Sequence, residues 1–245
     1  DTISLVLKVY LMKKSILLAS LAFAASVQLG SAADITGKVT VKGTPPPEKS
    51  LDVIKKDANC GKLVPGEPPK TRFWVVGEKG ELADVVVSLK GIKGKSTGAQ
   101  EKPLLLDQVK CEYIPYVAAA QTGQKILVRN SDPIFHNVHP TPTAPGNKEY
   151  NKAQMPKAPD LEFTYENPEM FLRYKCDVHP WMFSYVSVFD HPYFAVTGED
   201  GTFTIKNVPP GKYTIEAAHR KGGTVTQEIE VKDENVTADF VIEAK

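Results

Sequence analysis

CDVHPWM, residues 176–182, puts a thiol, an imidazole and a thioether into seven positions, with a proline and a tryptophan between them. Three soft donors so close together read either as one half of a metal centre or as a strand end that happens to be rich in sulfur. The flanks read as strand. Residues 170–176 and 184–189 are aromatic and β-branched, so the motif falls on a connection between two strands. A mononuclear centre built here still lacks a second strong nitrogen donor. Working outward, residues 104–106, 113–119, 125–128 and 161–165 read as further strands. Residues 141–159, rich in Pro, Ala, Asn and Lys, read as a long loop with one helical turn, and residues 90–102 as a surface loop. Nearer the N-terminus, residues 35–41 alternate apolar and polar, and residues 73–76 and 83–89 are β-branched runs split by a turn at 77–80. No amphipathic helix after residue 33 exceeds two turns. The expected fold class is all-β, built as two sandwiches.

Downstream of His191-Pro192 the character changes. FAVTGEDGTFTIKNVPPGKYTIEAAH, residues 194–219, has a Gly-Glu-Asp-Gly turn, alternating 202–205, a Pro-Pro-Gly turn and alternating 212–217. These are the marks of a compact antiparallel unit, to which 224–231 and 237–242 add strands. On residues 197–203 and 208–213, the segment resembles the carboxypeptidase regulatory-like, transthyretin-like β-sandwich family. Repeats of that family begin with a G-x-V strand, and Gly37-Lys38-Val39 could supply it. The resemblance implies that the N-terminal strands share one sandwich with the C-terminal segment, the metal module lying between them. The expected division is an upstream extension and signal peptide at 1–33, N-terminal strands at 34–100, the metal module at 101–190 and the transthyretin-like segment at 191–245.

Met12-Lys13-Lys14, the apolar run 15–25 and the small-residue exit Gly30-Ser31-Ala32-Ala33 have the layout of a secretory signal. The run is shorter than the roughly 20 residues of a membrane span, so cleavage and no integral span are expected. A net charge of +1 offers no electrostatic case for nucleic acid. Export, periplasmic or secreted, permits disulfides. With three cysteines, the simplest arithmetic pairs Cys60 with Cys111 and leaves Cys176 for chemistry. The alternative is two unpaired buried thiols.

The missing nitrogen comes from NSDPIFHNVH, residues 130–139, which carries two of the five histidines. A thiolate, two imidazoles and a distant thioether are the donors of a one-electron copper centre, and no fourth strong donor speaks for structural zinc. On these strings, residues 104–189 resemble the cupredoxins, and among them amicyanin and plastocyanin-like domains, which implies a Greek-key β-sandwich. In that pattern Cys-x2-His-x2-Met supplies Cys176, His179 and Met182, and the first histidine of His-Asn-Val-His supplies His136. His139 is then a packed or surface residue, as are His191 and His219. The resemblance gives Asn130 the role of tying the two ligand loops together. Three positions depart from it: Phe135 and Val178 stand where proline precedes each histidine, and Trp181 replaces a phenylalanine. Unlike proline, Val178 has an N–H, which the family's loop would aim at the thiolate.

The implied function is that of an exported electron carrier with one type 1 copper. Redox partners would dock where the His179 edge emerges beside Trp181. The alternatives are a copper-binding or trafficking protein without a redox partner, and a surface binding module suggested by the transthyretin-like segment. Catalysis would need an open second metal site, for which the spare histidines are too scattered, so no catalytic residue is assigned.

Overall fold

Strand-forming sequence dominates residues 31–244, the part described by the computed structural model; the leader read at 1–33 lies outside it up to residue 30. One sandwich is built from the middle of the chain. Its first sheet runs in the order Val117–Gln121, Phe183–Phe189, Glu169–Lys175, His136–Thr141, Lys152–Gln154. The second runs Glu112–Ile114, Leu104–Val109, Ile126–Asn130, Leu161–Phe163. Period-two alternation turns Leu172 and Tyr174 inward, where they meet Leu106, Ile126, Val128, Val138 and Val186. Two neighbouring pairs are parallel, Val117–Gln121 with Phe183–Phe189 and Leu104–Val109 with Ile126–Asn130. Parallel neighbours cannot be joined by a tight hairpin, so the chain crosses between sheets, as in a Greek-key sandwich.

The other sandwich combines both ends of the described chain. Ala33–Lys42 pairs antiparallel with Thr202–Val208 and parallel with Val236–Thr237 and Phe240–Glu243. The facing sheet runs Phe194–Val196, Val86–Leu89, Gly211–His219, Gly223–Val231. Gly37 is glycine for a steric reason: the Ala238 carbonyl occupies the place a side chain would need. The two sandwiches meet through Val86, Tyr116, Val117, Tyr185 and Phe189, against which Phe194 and Val196 pack.

Three expectations are corrected. Residues 73–76 form no strand ladder; a single bridge joins Val76 to Leu82, while Trp74 is a buried plug in the second core. Residues 141–159 contain no helical turn but the short strand Lys152–Gln154, which pairs with residues 136–138. Residues 51–64, grouped with the N-terminal strands, instead carry two helical turns, Asp52–Lys56 and Cys60–Leu63, that belong to the first sandwich. Ile54, Cys60 and Val64 lie in its core, and a disulfide joins Cys60 to Cys111. Helices of one turn are unstable alone, so packing and the covalent bond hold this strap in place.

The disulfide closes a loop with a sequence separation of 51. On the chain-entropy model it is worth about 4 kcal/mol. Replacing Cys60 and Cys111 by serine should lower unfolding free energy by up to that amount in a denaturant titration. Non-reducing peptide mapping should show one crosslink, never involving Cys176.

In the second sandwich His219 is buried against Trp74, ring centroids 4.4 Å apart, and its Nδ1 accepts the Gly222 amide at 3.0 Å. Burial, helped by the Arg220 charge, pushes its pKa down from 6.5 to about 4. Between those values the unfolded chain binds a proton that the folded chain refuses, so stability falls as pH drops through the window, by up to about 3 kcal/mol. Asp84, raised by burial to about 6, acts in the opposite direction. The comparison of wild type with His219→Gln therefore isolates the histidine: the variant should lose less stability between pH 7 and pH 4.

Candidate metal centre

CDVHPWM is the loop that joins Glu169–Lys175 to Phe183–Phe189, and it is closed on itself. The Cys176 amide donates to the Met182 carbonyl at 3.0 Å and the Met182 amide to the His179 carbonyl at 2.8 Å. His136 opens the neighbouring strand, whose His139 stands opposite Lys175. That register brings one donor atom each of His136, Cys176 and His179 within 4.8 Å of one another. The two Nδ1 atoms are 3.0 Å apart and the Cys176 Sγ is 3.6 Å from the His179 Nδ1. Donors about 2.1 Å from a central ion in a trigonal array would stand about 3.6 Å apart; the sulfur–nitrogen distance matches this, and the two nitrogens, at 3.0 Å, would have to part slightly to admit a first-row ion. His136, Cys176, His179 and Met182 are 0%, 1%, 4% and 0% exposed.

The electrostatics favour a thiolate in this dry place. Burial alone would raise the Cys176 pKa. Hydrogen bonds from His136 and His179 and from the backbone amides of Asn137 and His179 outweigh it and bring the thiol to about 6. Burial pulls the His136 imidazolium down, but Asp132 and Cys176 together hold it above its ordinary value. A deprotonated soft sulfur beside two imidazoles suits copper.

Several surrounding groups differ from the sequence reading. Asn130 donates to the carbonyls of Ile134 and Gln154, tying its own loop to a neighbouring strand. The side chain that bridges the ligand loops is Asn137: its Oδ1 accepts the Asp177 amide at 2.7 Å and the Cys176 thiol at 3.3 Å. Its position directly after His136 was the available signal. The amides beside the sulfur belong to Asn137 and His179, not to Val178, whose side chain is half exposed. Asp177 is no merely solvated residue. Lys175, then His139 and Asn151, hold its carboxyl well below the usual carboxylate range. His139 spans Asp177 and Glu149, both at 2.6 Å, and offers nothing to the centre.

The expected open edge of His179 is absent. The imidazole is buried under residues 57–60: donor atoms of Asp57 and Cys60 lie within 4.8 Å of it. Trp181 packs beside it at 5.3 Å between centroids and donates its Nε1–H to the Cys111 carbonyl at 3.2 Å. Asp132, four residues before His136, was missed in the sequence. It meets the His136 Nε2 at 2.9 Å and accepts the amides of Lys110 and Cys111 at 2.6 and 2.8 Å. Proximity of this kind is invisible until the hairpin turn is placed.

Residues 192–243 match the family model described as "BOS complex subunit NOMO1-like, second beta sandwich domain". No curated protein sequence matched the chain. Among solved structures, an amicyanin mutant in its Cu(I) form is similar at 19% identity and a TM-score of 0.32, over 42% of this chain and 97% of that one. A purple cupredoxin from Nitrosopumilus maritimus is similar at 19% identity and a TM-score of 0.29, over 35% of this chain and 98% of that one. A Cu-containing nitrite reductase from Thermus scotoductus SA-01 is similar at 17% identity and a TM-score of 0.33, over 37% of this chain; the match spans only 23% of the reductase. The chain carries two separately cored β-sandwiches.

Proposed function

We propose that this protein is an exported one-electron carrier that would hold a single type 1 copper ion through His136, Cys176 and His179, with Met182 as a weak further donor. The observation that carries the reading is the convergence of two imidazole nitrogens on a buried thiol whose pKa is brought down to about 6. When bound, copper supplies a one-electron couple. The protein's part is to hold the donors fixed, so that little has to rearrange as charge changes: Asn137 clamps the two loops together and Asp132 sets the His136 ring. The burial of all four side chains leaves no open position for a substrate, which favours a carrier over an enzyme. It also counts against rapid ion hand-off to another protein. The internal disulfide supports an oxidising, exported location.

Redox partners would then exchange electrons across Trp181 rather than with a bare imidazole edge. The indole bridges His179 and a surface cavity of about 210 Å³ whose lining includes Leu51, Arg72, Tyr116 and Phe183.

The copper-loaded protein should show an intense visible thiolate-to-Cu(II) band, abolished in Cys176→Ser because the band needs the sulfur orbital. Stoichiometric copper without that band would sink the proposal. Met182→Leu should keep the colour and raise the reduction potential, since loss of a weak axial donor disfavours Cu(II). Trp181→Leu should leave the spectrum intact and slow electron exchange with a protein partner in stopped-flow mixing. An unchanged rate would place the electron's path elsewhere.

A further inference from the structure

The metal centre is enclosed by protein, so an ion needs a way in. One part of the enclosing wall, the strap of residues 51–64, is built from short, weakly self-supporting structure. It is pinned by Ile54 and Val64 in the core and by the Cys60–Cys111 bond. The two sulfurs of that bond lie against the centre itself. Cys60 has its Sγ within 4.8 Å of a donor nitrogen of His179, and Cys111 has its Sγ within 4.8 Å of one of His136. The disulfide thus stands between the strap and both ligand histidines.

We infer that Cys60 and Cys111, as thiols, form a Cu(I) loading site under a lid, and that the disulfide is the lid's lock. Before the bond forms, two thiols at a Cα separation of 5.8 Å offer the soft pair of donors that Cu(I) prefers. The strap, then released from its covalent tie and held mainly by its apolar side chains, can open to admit the ion. From the loading site the ion is one ligand away from the histidines of the final centre. Closure joins the two sulfurs and passes two electrons and two protons to a disulfide oxidant of the export compartment, which leaves as two thiols. With its donors consumed, the loading site ceases to exist, and the ion is retained beneath the strap. Metal loading therefore precedes disulfide formation. The identity of the ion rests on the copper reading above, but the site itself is testable without the final centre.

The experiment uses the full chain. In metal-free Cys176→Ser protein kept in the dithiol form, competition against a chromophoric Cu(I) chelator should report one Cu(I) per chain. That binding should vanish when Cys60 and Cys111 are also serine. Because the serine variants lose the crosslink's stability, the second readout compares one wild-type chain in its two thiol states. Both alkylation of Cys176 in the metal-free protein and Cu(I) uptake should be more than about ten-fold faster in the dithiol form. Cu(I) binding that is indifferent to Cys60 and Cys111 overturns the loading site. Equal Cys176 alkylation in the two states overturns the lid. Neither result bears on whether the loaded wild-type protein is blue, so the two readings fail separately.

Discussion

The Asp132 carboxylate holds together what the centre depends on. It receives the amides of Lys110 and Cys111, which form the two-residue turn between Leu104–Val109 and Glu112–Ile114. Both turn residues have positive φ, 52° and 61°, a conformation that such turns usually give to Asn and Gly. An acceptor fixed opposite both N–H groups offsets that cost. The same carboxylate meets the Nε2 of His136 and leaves the Nδ1 to face His179. One buried group thus sets a backbone turn, positions a half of the disulfide and orients the His136 ring. The Cys111 carbonyl completes the circuit by accepting the Trp181 indole that packs on His179.

Around this anchor, burial and charge work against each other and the balance selects the chemistry. A thiol sealed from water ordinarily keeps its proton. Here two imidazoles and two amides make the sulfur acidic. The strap that keeps water out also brings a carboxylate close to His179, and that charge is held by the strap's own backbone. The Asp57 carboxylate is satisfied by the amides of Asn59 and Cys60 at 2.9 and 2.8 Å. The result is a rigid, dry set of soft and borderline donors, whose polar supports are hydrogen-bonded in turn.

The second sandwich is joined to this module through an aromatic seam. Tyr185 packs edge-on to Tyr116, and Arg220 lies over the Tyr185 ring at 3.7 Å. Phe183–Phe189 follows Met182 directly at one end and at the other ends in Phe189, which stacks on Phe194 at 4.8 Å. A single strand therefore runs from the ligand loop into the seam, with side chains on the way committed to packing rather than chemistry.

Local sequence determined the alternation that makes the strands, the turn at Pro209-Pro210-Gly211 and the Cys176-x2-His179-x2-Met182 string, because each is written in residues close along the chain; His136, forty residues upstream, was joined to that string by resemblance. The fold brings a donor atom from each of His136, Cys176 and His179 within 4.8 Å. The G-x-V signature at Gly37 was visible too, but its reason, the Ala238 carbonyl lying where a side chain would go, was not. What only the tertiary structure decided are relations between distant residues. The strap at 51–64 has no strand periodicity and no chemical motif, and its place over His179 follows from where Cys111 sits after folding. Asn137 displaces Asn130 as the clamp because strand register, not spacing from the histidine, aims a side chain. The amide beside the sulfur is that of His179 rather than Val178 because the loop closes through the Cys176 and Met182 backbone. Donor identity is a property of residues and could be read in one dimension; orientation, access and dryness are properties of packing, and came only with three.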